Sequence, residues 1–597
     1  MHWVDWSIIA AYVVLITVIG LAFARRAGSS TSEFFIAGRN LPWWIAGTSL
    51  VATSFAADTP LAITGIVADK GIAGNWLWWN QVVAWALAMV FFARLWRRSG
   101  IMTDAEFIEL RYGGRAGAFL RGFKAFYSSV IFSTYTLAWV MLGMQKIIGA
   151  TIPAPDWVGV QQIELEHALG LAAGSVDLWK WIVLMGLFAA TTLYAVLAGA
   201  WGIVITDLIQ CTMAMGGSLM FAIYAVRAAG GMATLHAKLA SLYGAERTAN
   251  FFSFFPAADS PWMPVTTFAV YLGVLWWGDC GGFAAMRMFS TRSERDSVLT
   301  AVWYSILHFA VRPWPWIAVA LVTLVFYPDL KDREAGYPML MMQILPTGLL
   351  GLMMASLVAA FMSTADTHLN WNASYFVNDM YKRFLKPEAT ERQCVRMSRL
   401  STVVFAGLAI VLAYFMTNIS DAWIVLFNLQ AGIGLVIMLR WFWWRINAWS
   451  EMSAMVASLV VTTVLHYLAK AEVIHWSPAA RIVATVVFCT PVWVAVTFLT
   501  APATPEALAN FYRRVRPQRT LWGPVARACP EVVSTGEMGA CLINWIFSAV
   551  ALYAGMITIG KLVMGARGEA AIALTIASLA CGLIWIRSRN RRASIET

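Results

Sequence analysis

Long apolar stretches recur along the whole chain, and each is about as long as a helix that crosses a lipid bilayer. A membrane-spanning helix needs about 20 mostly apolar residues. Strands of a membrane β-barrel are shorter and alternate polar with apolar side chains, and these stretches do not. The pattern therefore predicts an all-α polytopic membrane protein. About fifteen stretches qualify: 5–24, 41–67, 72–96, 119–149, 178–198, 202–226, 265–287, 299–326, 347–377, 400–416, 421–439, 450–469, 480–500, 541–564 and 571–587.

Two of these stretches are interrupted by small and polar residues. The second contains the run 53–60, which includes an acid and a proline, and the seventh contains the glycine-rich run 276–282. Since the two stretches are five helices apart, they would cross the membrane in opposite directions. Broken helices at matched positions are typical of transporters built from two inverted repeats. The alternative, that glycine and serine only allow close helix packing, explains either break alone better than it explains the pair.

The breaks also suggest how the chain is divided. We expect a leading helix and an inside loop over 1–40, a first five-helix repeat over 41–227 and a second, inverted repeat over 264–440. About four accessory helices would occupy 441–597, with a basic inside loop at 501–540. No stretch is predicted to form a soluble domain.

The net charge of +11 is explained by membrane topology and does not require a nucleic-acid partner. One alternation of sides places most of the 43 Lys and Arg residues in loops on the same side, from Arg25 and Arg26 onward and including Arg287 and Arg440. Cytoplasmic loops carry such an excess. We therefore expect a multi-pass protein of the inner membrane, in contact with the lipid bilayer and not with nucleic acid. Its N-terminus would lie outside and its C-terminus in the cytoplasm.

Ionisable side chains inside membrane helices are costly, and their presence suggests function. Each also has a simpler explanation. The negative charge of Asp207 would interact favourably with the dipole of a helix N-terminus, and Asp58 and Asp279 would be exposed to water at the mouth of a cavity. His308 and Arg312 share a helix face, because they are four residues apart. We expect His308 to face a solute and Arg312 to lie nearer the pocket edge or to pair with backbone, although both would also satisfy backbone groups freed by the following prolines. The candidates are Asp58, Asp207, Asp279, His308, Arg312 and Asp366.

Two adjacent hydroxyls, Ser363 and Thr364, lie in an apolar stretch that ends at Asp366. Such hydroxyls often bond back to the preceding helical turn. They are also hard oxygen ligands of the kind that hard cations require. As sodium ligands they would need partner carbonyls from an unwound segment, and the break near 52–58 would supply them.

Several motifs, taken in order, resemble the sodium:solute symporter family, which includes bacterial sodium–galactose and sodium–proline transporters. The resemblance runs from about residue 5 to residue 440 and fades beyond about 450. The motifs that carry it are FFIAGR at 34–39, SLVA at 49–52, TDAEFIELRY at 103–112, AGAWGIVITDLIQ at 198–210, LVAAFMST at 357–364 and NDMYK at 378–382.

The resemblance implies a LeuT-type fold of one leading helix, ten core helices in a 5+5 inverted repeat, and accessory helices. It implies a sodium site between the first and eighth core helices. The backbone carbonyls of Ala52, Phe55 and Ala360 and the hydroxyls of Ser363 and Thr364 fall on that site. Asp207 falls on an aspartate of the fifth core helix that is tied to sodium coupling and, in some members, to a second sodium.

The resemblance also implies where the solute binds. At the six matching positions, given in order at the end of this paragraph, the galactose transporter has Asn, Glu, Gln, Tyr, Lys and Gln. Only Gln430 is the same residue in this chain, so galactose is not supported as the solute. Residues 78–81 also line the family's pocket, and Trp276 would close over the solute as a flat lid. The matching positions are Ser54, Asp58, Thr59, Trp276, His308 and Gln430.

The function that these features favour is sodium-coupled uptake of a small polar organic solute, such as a sugar, an amino acid or a carboxylate. The coupling ion would be Na⁺, and no obligate protein partner is evident. The alternative is a transport-like sensor that binds the solute without accumulating it, and the lack of an appended domain argues against that alternative. An enzyme is not expected, since the seven histidines form no catalytic cluster and no nucleophile motif is present.

Overall fold

The fold is known from a computed structural model, which describes residues 1–27, 30–168, 177–416, 418–532 and 538–596. Within these ranges the regular secondary structure is helical, apart from one isolated β-bridge between Leu41 and Thr291. The all-α prediction is therefore confirmed.

Twelve helices of the described chain are long and apolar enough to cross a membrane, and shorter helices connect them. Several of the long helices contain a 3₁₀ or π segment. In chain order the helices are α1 (Trp3–Ala27), α2 (Thr31–Ile36), α3 (Trp43–Thr53), α4 (Thr59–Lys70), α5 (Ile72–Ser99), α6 (Glu106–Tyr112), α7 (Gly114–Thr151), α8 (Asp156–Ala168), α9 (Leu178–Ala228), α10 (Met232–Phe252), α11 (Val265–Val274), α12 (Phe283–Phe289), α13 (Glu294–Phe326), α14 (Gly336–Ile344), α15 (Leu349–Leu385), α16 (Glu391–Tyr414), α17 (Ile419–Phe442), α18 (Ala448–Lys470), α19 (Pro478–Leu499), α20 (Pro505–Val515), α21 (Gly523–Ala528), α22 (Met538–Val563) and α23 (Arg567–Glu596).

The predicted number of spans is recovered once the breaks are counted. Helix α9 has 51 residues and contains a kink at Gly199, whose φ of 57° and ψ of −172° lie outside the helical region. It therefore covers the two predicted stretches 178–198 and 202–226. The pairs α3/α4 and α11/α12 each form one broken span, so the described chain contains about fifteen spans.

Both predicted breaks are present, and local sequence explains each. Between α3 and α4, five residues leave the helical pattern, and α4 then begins with Pro60 in its first turn, a position that proline favours. Gly282, which directly precedes α12, has a φ of +67°, and a Cβ there would lie 2.7 Å from the Trp371 ring. Only glycine fits this backbone and this close approach.

The breaks lie near the centre of the bundle. Helix α15 is the most buried of the long helices, and the terminal helices α1 and α23 are the least buried. Helices α15, α9 and α3 pack against one another, as do α4 and α13. Helix α12, which follows the second break, packs against α3, α5 and α13, so both interrupted segments adjoin buried helices.

Several basic residues that topology counting assigns to inside loops are buried on helices, among them Arg111, Arg121 and Lys124, and two more bear directly on the breaks. Arg287 is on α12 and is 2% exposed, and Arg440 is near the end of α17 and is fully buried. Each has acidic neighbours, described below, that offset the cost of burying its charge. The loop assignment of these two residues was therefore wrong.

Candidate functional site

A cavity of about 440 Å³ lies where the two breaks meet. Both interrupted segments contribute to its wall, together with α5, α7, α13, α15 and α17. Concave sites between bundle helices, with a few polar groups among aromatic side chains, are typical ligand sites. All six residues predicted to contact the solute line this cavity: Ser54, Asp58, Thr59, Trp276, His308 and Gln430.

Polar side chains of the wall hold the interrupted segments in place. The Nε2 atom of Gln430 donates to the carbonyl of Trp277 at 3.3 Å. The Nε2 atom of Gln81 donates to the carbonyl of Leu275 at 2.8 Å. These bonds satisfy carbonyl groups that the broken helix leaves without helical partners, so Gln430 supports the backbone as well as facing the cavity.

Asp58 sits at the end of the first break, directly before α4. Its side chain is 1% exposed, and neither carboxylate oxygen accepts a hydrogen bond of normal geometry. The backbone of Asp58 packs so closely on α7 that a Cβ at Gly143 would lie 2.7 Å from its Cα. The sequence-based alternative of a solvated mouth position is therefore wrong for Asp58.

His308 and Arg312 form a pair on the opposing helix α13. The Nη2 atom of Arg312 lies 3.2 Å from Nε2 of His308, and its Nη1 atom donates to the carbonyl of Val51 at 3.4 Å. Because a guanidinium only donates, Nε2 of His308 accepts, and the neutral imidazole carries its proton on Nδ1. That Nδ1 atom has no hydrogen-bond partner. Arg312 pairs with backbone, as expected, and it also lines the cavity.

Aromatic rings form the flanks of this pair. Tyr304 stacks on the His308 imidazole with ring centroids 4.6 Å apart, and its hydroxyl lies 3.2 Å from Oγ of Ser54. Trp78 meets His308 edge-on at 5.9 Å. Trp276 packs against Trp545 of the accessory helix α22 at 5.4 Å. Rings of α5, of α13 and of the second break thus border the cavity, and Trp545 packs behind Trp276.

The residues predicted to bind sodium lie where the first break contacts α15. The Thr364 hydroxyl donates to the carbonyl of Thr53 at 2.8 Å, and it also lies 3.2 Å from the carbonyl of its own helix at Ala360. The Ala52 carbonyl accepts from the amide of Phe55 at 3.0 Å. Carbonyl and hydroxyl oxygens therefore converge there, and hard cations use both as ligands.

Ser363 faces a different partner. Its hydroxyl donates to Oδ1 of Asp207 at 2.6 Å, and the Ser49 hydroxyl donates to Oδ2 of the same carboxylate at 2.5 Å. Asp207 is completely buried. A carboxylate bonded to hydroxyls of two other helices is not acting as a helix-end dipole partner, so that alternative is excluded for Asp207.

Arg287 extends this network, and sequence reasoning missed it. Its Nε atom donates to Oγ of Ser49 at 2.8 Å, and its Nη2 atom lies 3.2 Å from Oγ1 of Thr367 and 3.5 Å from Oδ2 of Asp207. Asp366 is also fully buried and lies within electrostatic range of Asp207 and Arg287. An arginine inside a seven-residue apolar helix directly after a break is the pattern that would have revealed Arg287.

A second set of charges, the floor cluster, closes one end of the cavity. It consists of Asp279, Arg440, Glu451, Lys124 and Asp104. Arg440 bonds Asp279 at 2.7 Å and Glu451 at 2.8 Å. Lys124 lies 3.4 Å from Asp104 and 3.6 Å from Glu451. Since Asp279 is buried and ion-paired, it is not a solvated mouth residue.

A third cluster lies beside the floor cluster and reaches the surface. Arg121 bonds Asp379 at 2.7 Å and Glu109 at 2.9 Å. Glu109 also accepts from the exposed Arg383 at 2.6 Å. The hydrogen bond from Arg383 lowers the pKa of the Glu109 carboxyl below its ordinary value, because it stabilises the charged form. Glu109 therefore stays ionised at neutral pH and ties α6, α7 and the end of α15 together.

Comparison with known proteins relates this arrangement to transporters. A profile of the sodium:solute symporter family matches residues 34–157 and 171–458. A sodium/glucose cotransporter of Vibrio parahaemolyticus is 25% identical over 498 residues, which are 78% of this chain and 86% of that protein. A sodium/myo-inositol cotransporter 2 of Rattus norvegicus is 23% identical over 503 residues, covering 76% of this chain and 69% of that protein.

The fold matches that of a solved transporter over most of its length. The structure of a Na⁺-coupled sialic acid symporter, in a substrate-bound outward-open state, superposes with a TM-score of 0.63 at 18% identity. The match covers 84% of this chain and 99% of the symporter. At this identity the likeness concerns the fold, and it confirms the predicted LeuT-type architecture.

Proposed function

The chain belongs to the sodium:solute symporter family and is a multi-pass membrane protein that couples a small solute to sodium, and we propose that it takes up a small polar organic solute by alternating access. The observation that carries the proposal is the bond from Thr364 to the carbonyl of Thr53. It joins α15 to the first break, directly beside the cavity. An ion bound at this junction would therefore set the shape of the solute pocket.

The proposed sodium ligands are five oxygen atoms at that junction. Three are the backbone carbonyls of Ala52, Phe55 and Ala360, and two are the hydroxyls of Ser363 and Thr364. Buried position, oxygen chemistry and contact between the break and α15 support this assignment. Because Ser363 also donates to Asp207, its oxygen would link the ion to that carboxylate.

We assign Asp207 to ion coupling or to a second sodium. With Asp207, Asp366 and Arg287 ionised, this buried group carries one net negative charge. A single monovalent cation would neutralise it, and neutralising buried charge is strongly favourable. The hydroxyls of Ser49, Ser363 and Thr367 lie within the same network and would provide further ligands.

The proposed solute contacts are the six cavity residues Ser54, Asp58, Thr59, Trp276, His308 and Gln430. Their unbonded groups, above all Asp58 and Nδ1 of His308, would bond the solute's polar groups. The relatives carry glucose and myo-inositol by their names, so sugars and polyols belong in the first set of compounds to test, with amino acids and carboxylates.

The proposed transport cycle depends on two inverted repeats, at 41–227 and 264–440. Residues 1–40 form the leading helix and loop, and residues 441–597 form the accessory helices. Rocking of one helix group against another would expose the cavity alternately to each side of the membrane. The floor cluster would close the path from the cavity to one of these two sides. We place the protein in the inner membrane, with the N-terminus outside and the C-terminus in the cytoplasm. One sodium charge moving through 100 mV releases about 2.3 kcal/mol, enough to concentrate a neutral solute roughly fifty-fold.

Accumulation in proteoliposomes tests the proposed function. Radiolabelled sugars, polyols, amino acids and carboxylates are offered to vesicles containing the purified protein, with an inward sodium gradient or with potassium in its place. We expect one compound class to accumulate above its external concentration only with the sodium gradient. Binding without accumulation would instead support the transport-like sensor.

Removing either proposed sodium hydroxyl should weaken sodium binding far more than solute binding. In Ser363→Ala and Thr364→Ala we expect the half-saturating sodium concentration for uptake to rise about tenfold or more, because each variant loses a contact to a charged partner. The solute KM at saturating sodium should change little. Uptake measured across a sodium titration gives both values.

Ser374→Ala is the matched control for these variants. Ser374 is buried on the same helix, but its hydroxyl donates to the carbonyl of Trp371, within its own helix, at 2.7 Å. The sodium dependence of uptake by Ser374→Ala should equal that of the unmodified protein. Unchanged sodium dependence in both Ser363→Ala and Thr364→Ala would remove these residues from the sodium site.

A further inference from the structure

Two opposite charges line the solute cavity without forming an ion pair. Asp58 has no basic side chain of the described chain within 4 Å, and no described carboxylate lies within 4 Å of Arg312. Both side chains are at most 2% exposed. Each lies within electrostatic range of the other, but the cavity keeps them apart.

Most of the other buried charges in the described part of the bundle are paired. Asp279 and Glu451 bond Arg440, Asp379 bonds Arg121, and Asp207 lies 3.5 Å from Arg287. Pairing is the expected state, because an unpaired buried ion costs several kcal/mol. Asp366 and Arg111 are also buried without an ion pair among the described residues, but neither lines the cavity. Asp58 and Arg312 are the unpaired charges of the cavity wall, where an incoming molecule would supply the missing partners.

The two ends of the cavity differ in the hydrogen bonds they offer. At the Asp58 end, neither carboxylate oxygen has a hydrogen-bond partner of normal geometry, although the Trp423 side chain lies close to it, and the ion pair of Lys146 with Glu334, at 2.7 Å, lies behind it. At the other end, Nε of Arg312 and Nδ1 of His308 are donors without partners. The complementary ligand presents donors with positive charge to Asp58 and acceptors with negative charge to Arg312 and His308.

We propose that the solute is a zwitterionic amino acid, whose ammonium group bonds Asp58 and whose carboxylate bonds Arg312 and Nδ1–H of His308. This inference rests on the proposed function, since it names the class of solute for the same cavity. Such a ligand carries no net charge, so it neutralises both buried side chains without changing the net charge that crosses the membrane. A sugar or polyol leaves Asp58 and Arg312 without charged partners.

Aromatic side chains fit the same ligand. Trp78, Tyr304 and Phe309 lie around His308, and Trp423 lines the cavity close to the Asp58 carboxylate. Ring faces attract ammonium groups, and ring edges and faces pack against apolar side chains. The cavity therefore favours amino acids with an uncharged side chain over those with a second charge.

The first test is the melting temperature of the purified protein in sodium, measured with single compounds. The probes are L-alanine, L-proline and L-phenylalanine as zwitterions, lactate with the carboxylate alone, ethanolamine with the ammonium alone, and glucose and myo-inositol. We expect a saturable rise with at least one amino acid and a rise with none of the other four. Stabilisation by glucose or myo-inositol but by no amino acid would overturn the proposal.

Two charge-removing variants locate the two ends of the ligand. In Asp58→Asn the Kd of the stabilising amino acid should rise roughly tenfold or more, because a charge-assisted bond is lost, and Asp58→Glu should recover part of it. Arg312→Gln should raise the Kd by a similar factor, and Arg312→Lys should recover part of it. If Asp58→Asn binds the amino acid as tightly as the unmodified protein, the assignment of the ammonium group is wrong.

A failure of the zwitterion proposal can be distinguished from a failure of the proposed sodium symport. Sodium-driven accumulation of a sugar that amino acids do not inhibit would overturn the zwitterion assignment and leave symport intact. An amino acid that stabilises the protein and loses affinity in Asp58→Asn, but does not accumulate with a sodium gradient, would uphold the assignment and overturn symport. The sodium concentration that stabilises the protein without solute should be unchanged in Asp58→Asn, which separates loss of the ligand from loss of the fold.

Discussion

Sodium-driven uptake should fall at least tenfold when Asp207 is replaced by asparagine. The carboxylate of Asp207 accepts from Ser363 and from Ser49 through different oxygens, and an amide has only one oxygen to accept with. The Ser363 hydroxyl would lose its orientation, and Arg287 would lose the one carboxylate that lies within 4 Å of it in the described part of the chain. The substitution also removes one negative charge from the region where we place the ion.

The loss of uptake must be distinguished from a loss of stability. Removing one partner of a buried charge pair destabilises a protein by about 3–5 kcal/mol. The double variant Asp207→Asn/Arg287→Gln removes both charges, so we expect it to regain most of the melting temperature but not the sodium response. Thr212→Val, at an exposed position of the same helix, serves as the control and should behave as the unmodified protein.

Uptake across a sodium titration gives the decisive values for this group of variants. The sodium concentration for half-maximal uptake should rise in Asp207→Asn and in the double variant alike. If Asp207→Asn keeps its full sodium response, the carboxylate is a structural bridge between α9, α3 and α15 and has no part in coupling.

Loss of the Arg440 guanidinium should cause the largest loss of stability of any single charge removal at the floor cluster. Its Nη2 atom bonds Asp279 at 2.7 Å and its Nη1 atom bonds Glu451 at 2.8 Å, and all three side chains are buried. In Arg440→Met two carboxylates are left close together, with Lys124 as the remaining nearby cation. We expect a destabilisation of about 3–5 kcal/mol, the usual cost of breaking a buried pair from one side.

The melting temperature of detergent-purified protein measures this effect. The triple variant Arg440→Met/Asp279→Asn/Glu451→Gln removes all three charges and should recover most of the loss, since buried pairs contribute little net stability over neutral groups. Arg513→Ala breaks an exposed pair with Glu531 and should leave the melting temperature unchanged, because exposed pairs are weak. Equal melting temperatures for Arg440→Met and Arg513→Ala would contradict the role given to the floor cluster.

The number of spans and the position of both breaks were predictable, because each depends on local sequence. Apolar length determines a span, while Pro60 and the glycines at 278, 281 and 282 interrupt two of them. The six solute positions came from family resemblance, and they line one cavity. Their roles stay predictions until the variants are measured.

The partners of buried charges were not predictable in the same way. Arg287 bonds Ser49, which lies 238 residues away, and Arg440 bonds Asp279, which lies 161 residues away. Counting basic residues by side treated both arginines as loop residues, since each follows an apolar stretch as a cytoplasmic anchor does. Only the packing of α12 against α3 and of α17 against the second break shows that these charges are buried and paired.

The central claim is that sodium at the Thr364 junction and solute in the cavity stabilise the same arrangement of the first break. Its most direct test is binding of the accumulated solute to purified protein, measured in sodium and in potassium. Reciprocal linkage predicts that saturating sodium lowers the solute Kd by some factor and that saturating solute lowers the sodium Kd by the same factor. Thr364→Ala should shrink both factors together. A solute Kd that is identical in saturating sodium and in potassium would contradict the claim.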